Sequence, residues 1–306
     1  MRILVTGGAG FIGSHVVEHF QAHAEIVVLD DFRSGYRQNL AGLSCRLIEG
    51  SILDSVALAQ AIEGVTQVFH LAAMISVPES VAKPAECARL NAEGTRLVLA
   101  AAHQAGVKKI ILASSAAIYG DNPVVPKVES MLPDPKSPYA ATKLAGEQLL
   151  EEYRLTQGLG TTSLRFFNVF GPRQDPRSAY AAAVPIFVAK ALRGEPLTVF
   201  GDGEQTRDFI YVKDIVHALI YAANQPAMFG VYNVGYGRAR SIRALAENII
   251  RLTNSASRLE FQPERPGDVK HSCASVERLT AAGWTPQYDI EQGLAATSHY
   301  FRNLKA

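Results

Sequence analysis

The run "RILVTGGAGFIG", Arg2 to Gly13, restricts the possible folds of this chain more than any other stretch. An aliphatic, β-branched segment leads directly into a glycine cluster, and the cluster opens a segment with helical apolar spacing. Gly8, Gly10 and Gly13 satisfy G-x-G-x-x-G, while Gly7, Gly10 and Gly13 satisfy G-x-x-G-x-x-G. Glycines at such a turn permit a tight reversal and let backbone N–H groups approach a pyrophosphate at the helix N-terminus. The next strand-like run, "EIVVLDD", carries Asp30, 20 residues beyond Gly10. A carboxylate there can accept hydrogen bonds from both ribose hydroxyls and would repel a 2′-phosphate, so the pattern favours NAD over NADP. Arg33 is the opposing feature, because a nearby arginine can receive that phosphate.

The rest of the first half repeats the alternation. "CRLIEG", "TQVFHLAA", "KKIILASS" and "TTSLRFFN" read as strands, with helical patterns at "SVALAQAIEG", "ECARLNAEGTRLVLAAAHQAG" and from "SPYAATK" onward. Near-continuous apolar strands between helices predict a parallel sheet covered on both faces, the doubly wound α/β, Rossmann-like fold. Past Phe170 the pattern loosens. "GPRQDPRSAYAAAVP" reads as a functional loop, and further helices follow near "IFVAKALRG", "VKDIVHALIYAAN" and "SIRALAENIIRL". We expect a nucleotide-binding domain over 1–167 plus roughly 206–238. A smaller C-terminal substrate-binding lobe over 168–205 and 239–306 is expected to cover the carboxyl edge of the sheet.

Composition narrows the function classes. Thirty basic against 29 acidic residues leave a formal charge of +1, which gives no basic surplus for nucleic acid. No uninterrupted apolar run is long enough to span a membrane, and the N-terminus begins on a strand rather than a secretory leader. Cys45, Cys87 and Cys273 form no CxxC pair, which fits a reducing, cytoplasmic setting and no zinc site. His15, His19 and His23 recur one turn apart on the first helix without an acidic partner at matching spacing, so no metal is expected there. His70 reads as a packed or hydrogen-bonded histidine, not a catalyst.

"SPYAATK" places Tyr139 and Lys143 on one helix face. A cation beside a phenol favours the phenolate, so the pair could act as a general base with a lowered pKa. A packed tyrosine and a solvated lysine would give the same spacing.

Taken together, "TGGAGFIGSH", "LDD", "FHLAA", "ARLNAEGT", "SSAAIYGD", "SPYAATK", "LRFFNVFGP", "DGEQTRDFIYVKD" and "RPGD" resemble the extended short-chain dehydrogenase/reductases, within them the UDP-hexose 4-epimerases, over essentially the whole length. The resemblance implies Ser115, Tyr139 and Lys143 as catalytic residues. It also implies NAD contacts from Gly7, Gly10, Phe11, Ile12, Gly13, Asp30, Ser51, Ile52, Leu71, Ala72, Ala73 and Asn91, joined by Tyr139 and Lys143. The implied reaction is reversible oxidation at sugar C4 with NAD regenerated each cycle. Relatives that dehydrate or decarboxylate carry acidic residues just after the catalytic serine or threonine. Here Ala116 and Ala117 follow Ser115, which disfavours elimination chemistry.

For the UDP-sugar, the resemblance implies contacts from Ser115, Tyr139, Asn168, Arg207, Arg265 and Asp268. Arginine suits phosphate because its planar fork binds two oxygens at once. Ser272 stands where relatives restricted to non-acetylated hexoses tend to have tyrosine, so UDP-N-acetylglucosamine is expected to be accepted alongside UDP-glucose. Relatives usually read Gly-Asp-Ile after the third strand. Here it is Gly50, Ser51, Ile52, so a weaker adenine contact is expected. A homodimer is also implied by resemblance. Rival readings are a net NAD-dependent nucleotide-sugar oxidoreductase, a UDP-uronate 4-epimerase and a catalytically silent nucleotide-binding regulatory protein.

Overall fold

A computed structural model describes residues 1–176, 182–264 and 269–304. Contacts divide the chain into two compact units. The first comprises Met1–Gly120, Met131–Phe166 and Val216–Tyr232, and the second Asp121–Ser130, Phe167–Ile215 and Asn233–Ala306.

The first unit is built on the strand-like runs of the N-terminal half. β1 (Arg2–Thr6), β2 (Glu25–Asp30), β3 (Arg46–Glu49), β4 (Gln67–His70), β5 (Lys109–Ser115) and β6 (Gly160–Phe166) pair in parallel in the order β6-β5-β4-β1-β2-β3. Successive side chains alternate between faces. Leu4, Val27, Leu29, Val68, Ile110 and Leu112 enter one core with apolar residues of three helices, α2 (Ser55–Ile62), α5 (Gly94–Gln104) and α6 (Pro138–Gln157). Ile3, Val5, Ile26, Val28 and Phe69 are equally buried on the other face. There Phe20 of α1 (Phe11–Phe20) meets the Phe69 ring at 5.5 Å. The doubly wound expectation holds. From β1 the chain winds outward to β2 and β3, then returns to β4 on the other side, so the reversal falls between β1 and β4. Ligands of such sheets bind at the carboxyl ends of those strands.

Between β4 and α5 lie two short helices, α3 (Val77–Ala82) and α4 (Pro84–Cys87), followed by a π-helical turn over Ala88–Glu93. α6 starts cleanly because Ser137 caps the Ala140 N–H and Pro138 occupies the first helical position. Its end is set by Gly158 in the left-handed conformation.

The second unit holds β7 (Asn168–Phe170), β8 (Leu197–Phe200), β9 (Thr206–Tyr211), β11 (Ala239–Ser241) and β12 (Leu259–Gln262). β9 lies between β11 and β7, and β8 pairs in parallel with β12. The helices α7 (Ala183–Ala191), α9 (Ile242–Thr253), α10 (Glu277–Ala281) and α11 (Ile290–Asn303) complete it. α8 (Val212–Asn224) and β10 (Gly230–Val234) carry the chain between units, and β10 joins the edge of the large sheet beside β6. Asp208 is the fully buried anchor of the small sheet. Its carboxylate accepts from the Tyr236, Gly237 and Ala274 N–H groups at 2.7–3.0 Å. No described helix is long and apolar enough to cross a membrane.

Candidate active site

The glycine turn has the geometry its sequence implies. Gly7 adopts φ +71°, and a Cβ there would sit 2.8 Å from the Ala72 backbone nitrogen. At Gly13 a Cβ would fall 2.2 Å from the Gly7 carbonyl oxygen. A side chain at either position would force the β1–α1 turn open. α1 begins at Phe11 and Ile12 without a side-chain cap at Gly10, so its first N–H groups are left for an anion. Asp30 ends β2 buried, its Oδ2 accepting from the Ala9 N–H and its Oδ1 from the Phe32 N–H, both at 2.8 Å. Burial raises its pKa above the usual carboxylate range, and those two hydrogen bonds oppose the shift.

Arg33, the residue that argued for NADP, is already engaged. Its Nη1 donates to Glu86 at 2.5 Å and its Nη2 to Glu79 at 2.8 Å. Ser51 uses its hydroxyl oxygen to accept the Leu53 N–H at 3.3 Å. The Ile52 side chain is buried in the core, which leaves only its backbone for ligand contact.

At the carboxyl ends of β1 and β4, Thr6 and His70 stand in register. Thr95 Oγ1 gives its proton to the Asn91 carbonyl at 2.5 Å, so toward His70 Nε2, 2.9 Å away, it can only accept. Thr6 Oγ1 accepts the Leu71 and Ala72 N–H groups and lies 2.7 Å from His70 Nδ1. The network therefore assigns the neutral His70 with Nε2 protonated. Burial, helped by the Lys143 charge, lowers its pKa to about 3. The expectation of a packed, hydrogen-bonded histidine holds.

Asn91 lies in the π-helical turn, a distortion frequent at functional sites. Its Oδ1 accepts the Met74 N–H at 2.7 Å, and its Nδ2 donates to the Met74 carbonyl and to Thr142 Oγ1 at 3.0 and 3.1 Å. Thr142 passes its own proton to the Tyr139 carbonyl at 2.8 Å. Ser80 Oγ receives the Tyr139 N–H at 3.2 Å. The first turn of α6 is thus tied to α3 and to the Asn91 turn.

Ser115, Tyr139 and Lys143 come together at the end of β5. Ser115 accepts the Ala117 N–H at 3.1 Å and is hydrogen-bonded to the Tyr139 phenol. Lys143 is buried, with Nζ 5.8 Å from the centre of the Tyr139 ring and 2.8 Å from the Ala113 carbonyl that it donates to. Burial lowers the Lys143 pKa to about 8. Burial raises the Tyr139 pKa and the Ser115 hydrogen bond opposes the rise; the lowering expected of Lys143 belongs to the site with a charged nicotinamide bound.

These residues fit a dinucleotide. The open helix start suits a pyrophosphate, the oriented Asp30 carboxylate suits a ribose diol, and Lys143 keeps two of its three N–H donors beyond the one given to Ala113.

In the second unit, Asn168 pairs with Phe209 across β7 and β9, which places it beside the strand that carries Arg207. The Ser272 N–H donates to the Thr206 carbonyl at 3.1 Å, so the Ser272 backbone flanks the same strand. Asn168 and the Ser272 backbone therefore both flank the central strand that carries Arg207. Arg265 and Asp268 lie outside the described residues. Sequence reasoning passed over Thr6, Ser80, Thr95, Tyr119, Glu147 and Arg165. The alternation of strand residues could have flagged only Arg165, a charge within an apolar β6 run.

The model of the NAD-dependent epimerase/dehydratase family matches residues 3–235. The UDP-glucose 4-epimerase of Mycolicibacterium smegmatis is 39% identical over 99% of both chains. A UDP-N-acetyl-alpha-D-glucosaminuronate decarboxylase of Bacillus cytotoxicus is 35% identical over 99% of this chain and 98% of its own. Among solved structures, the UDP-N-acetylglucosamine 4-epimerase of Methanobrevibacter ruminantium M1, in complex with UDP-N-acetylmuramic acid, superposes with a TM-score of 0.95. It is 39% identical, with 99% of this chain and 98% of that one covered. With its glycine turn, its Asp30 and its Ser-Tyr-Lys cluster, the chain belongs to the NAD-dependent epimerase/dehydratase family, the extended short-chain dehydrogenase/reductases.

Proposed function

We propose that the protein interconverts C4 epimers of a UDP-hexose, acting on UDP-glucose and UDP-galactose and on their 2-acetamido counterparts. The observation that carries this reading is the Ser115–Tyr139–Lys143 cluster with Ala116 and Ala117 behind it. It provides a proton acceptor for a hydroxyl, and the two residues after Ser115 carry no acid or base for elimination or decarboxylation.

Gly7, Gly10, Gly13 and the start of α1 would hold the NAD pyrophosphate, Asp30 the adenosine ribose, and Lys143 the nicotinamide ribose. NAD, when bound, supplies the hydride acceptor and donor that oxidation and reduction at C4 require. Tyr139 takes the C4 hydroxyl proton and later returns it to the oxygen of a transient 4-keto sugar. Ser115, hydrogen-bonded to the phenol, steadies the charge that develops on that oxygen. Lys143 keeps a cation near the Tyr139 ring, which favours the phenolate form that accepts the hydroxyl proton. For the nucleotide, Asn168 and Arg207 are proposed to contact the diphosphate, with Arg265 and Asp268 as further contacts carried by sequence alone. Ser272 in place of a bulkier side chain is proposed to admit an acetamido group. A homodimer in the cytoplasm is the assembly and setting we propose with this activity.

The test is a proton NMR time course of the purified protein with UDP-N-acetylglucosamine and no added cofactor. Growth of the C4 epimer's anomeric signal supports epimerisation with retained NAD. Turnover of UDP-glucose alone would remove the acetamido reading. Turnover of neither, with or without added NAD, would overturn the proposal.

A further inference from the structure

From the contacts on either side of Ser115, we infer that Glu147 is a positioning residue for this chemistry. Held by Arg165, it fixes both flanks of Ser115 against the helix face that carries Tyr139 and Lys143. The inference rests on the catalytic reading of those three residues.

Glu147 lies one turn beyond Lys143 and two beyond Tyr139 on α6, so the three share a face. It is buried and bound in two ways. Arg165 of β6 grips it bidentately, Nε to Oε1 at 2.8 Å and Nη2 to Oε2 at 2.7 Å. Ser114 of β5 donates its hydroxyl to Oε1 at 2.6 Å. Ser114 and Arg165 are direct partners in the β5–β6 register, so one carboxylate reads two adjacent strands at once. The third Arg165 nitrogen, Nη1, donates to the Tyr119 hydroxyl at 2.9 Å, and the guanidinium lies 4.9 Å from the centre of that ring. Tyr119 is buried and closes the short turn, Ala116–Tyr119, that follows Ser115. Ser115 is therefore pinned one residue before and four residues after its own position, both times through Glu147.

A buried ion pair is a poor way to gain stability, because desolvation consumes most of the Coulomb energy. Apolar residues in these three elements would pack as well. What they would lose is the directional hold on the Ser115 segment, where a shift of about 1 Å can cost on the order of 100-fold in rate. Glu147 also acts on Lys143 through space. The groups that face Lys143 are His70 from β4, Cys87 from α4, and Tyr139 and Glu147 from its own helix. Cys87 and Glu147 favour its charged form against a burial that disfavours it.

Two variants of the full chain test the inference, Glu147→Gln and the paired Glu147→Leu/Arg165→Met. The paired change removes the buried charges together, which keeps the fold when the single change does not. Two readouts are needed: kcat and KM for a UDP-hexose, and the Lys143 titration followed by lysine side-chain nitrogen NMR, assigned with Lys143→Met. The expected result for the paired variant is a retained fold with a melting temperature lowered by the lost partners of the Ser114 and Tyr119 hydroxyls, kcat lower by roughly 10-fold to 100-fold and KM little altered. Lys143 should titrate lower in Glu147→Gln, and by less in the paired variant, where a cation leaves with the anion. A folded paired variant with wild-type kcat and an unmoved Lys143 titration would overturn the inference. If the wild-type protein turns over no UDP-hexose, the epimerase reading fails, while the Lys143 titration still decides whether Glu147 acts on that site.

Discussion

Thr6 and His70 meet at the point where the sheet reverses its winding, hydroxyl to Nδ1 at 2.7 Å, each at the carboxyl end of its strand. The pairing joins the strand that feeds the glycine turn to a chain of bonds running through Thr95, Asn91 and Thr142 to the backbone of Tyr139. A protonated His70 would present a second N–H to Thr6, whose oxygen already takes two backbone donors. Folding therefore selects the neutral ring. With a folded pKa of about 3, below its unfolded value, His70 binds fewer protons in the native state between those limits. Its contribution to stability is complete above the unfolded value and is lost as pH falls toward about 3. Between pH 7 and pH 5 the loss should be about 2 kcal/mol. His70→Gln, which donates and accepts but does not titrate here, should lose less stability over that interval by about this amount. Urea unfolding of both proteins at the two pH values checks it.

Tyr139→Phe keeps the ring and removes the hydroxyl that bonds Ser115. The backbone contacts of Tyr139 to Ser80 and Thr142 do not involve the hydroxyl, so the start of α6 should stay in place. Turnover should fall by roughly 100-fold to 10,000-fold, the range for loss of a general acid–base. NAD released on denaturation should match the wild type. A variant with near wild-type turnover would remove Tyr139 from the proposed mechanism.

The sheet and the glycine turn were readable because apolar strand runs and a strand–glycine–helix junction leave few folds open. The candidate site was readable only through a combination of motifs, since Tyr139 and Lys143 alone fit an ordinary helix equally well. What sequence did not show is the polar scaffold behind the site. Glu147 and Arg165 sit 18 residues apart and meet because α6 packs against β6, while the β5–β6 register adds Ser114 to the same carboxylate. The pairing of Arg33 was not legible because Glu79 and Glu86 come from the distant α3–α4 segment.

Arg33 leads to a prediction on cofactor choice. Removing the Asp30 carboxylate alone, as in Asp30→Ala, should weaken NAD binding without yielding good NADP binding, because both guanidinium arms remain on glutamates. Adding Glu79→Gln and Glu86→Gln should release Arg33 toward a 2′-phosphate. The triple variant should bind NADP more tightly than the single variant by about 10-fold, a charge-assisted contact of about 1.4 kcal/mol. Isothermal titration of both variants with NADP measures it, and equal affinities would show that Arg33 cannot reach the phosphate.

Ser272 offers the sharpest probe of substrate range. Its N–H is fixed to the Thr206 carbonyl on the strand that carries Arg207, so a substitution changes the side chain without moving the backbone. Ser272→Tyr adds a ring at a half-buried position. If the acetamido group occupies the space beside Ser272, that ring collides with it and not with a 2-hydroxyl. The ratio of kcat/KM for UDP-N-acetylglucosamine to that for UDP-glucose should fall by roughly 5-fold to 150-fold, since overfilling a packed site costs about 1–3 kcal/mol. Most of the change should come from the acetylated substrate. If both substrates lose activity equally, the ring has disturbed a contact that they share, and Ser272 does not set the choice between them.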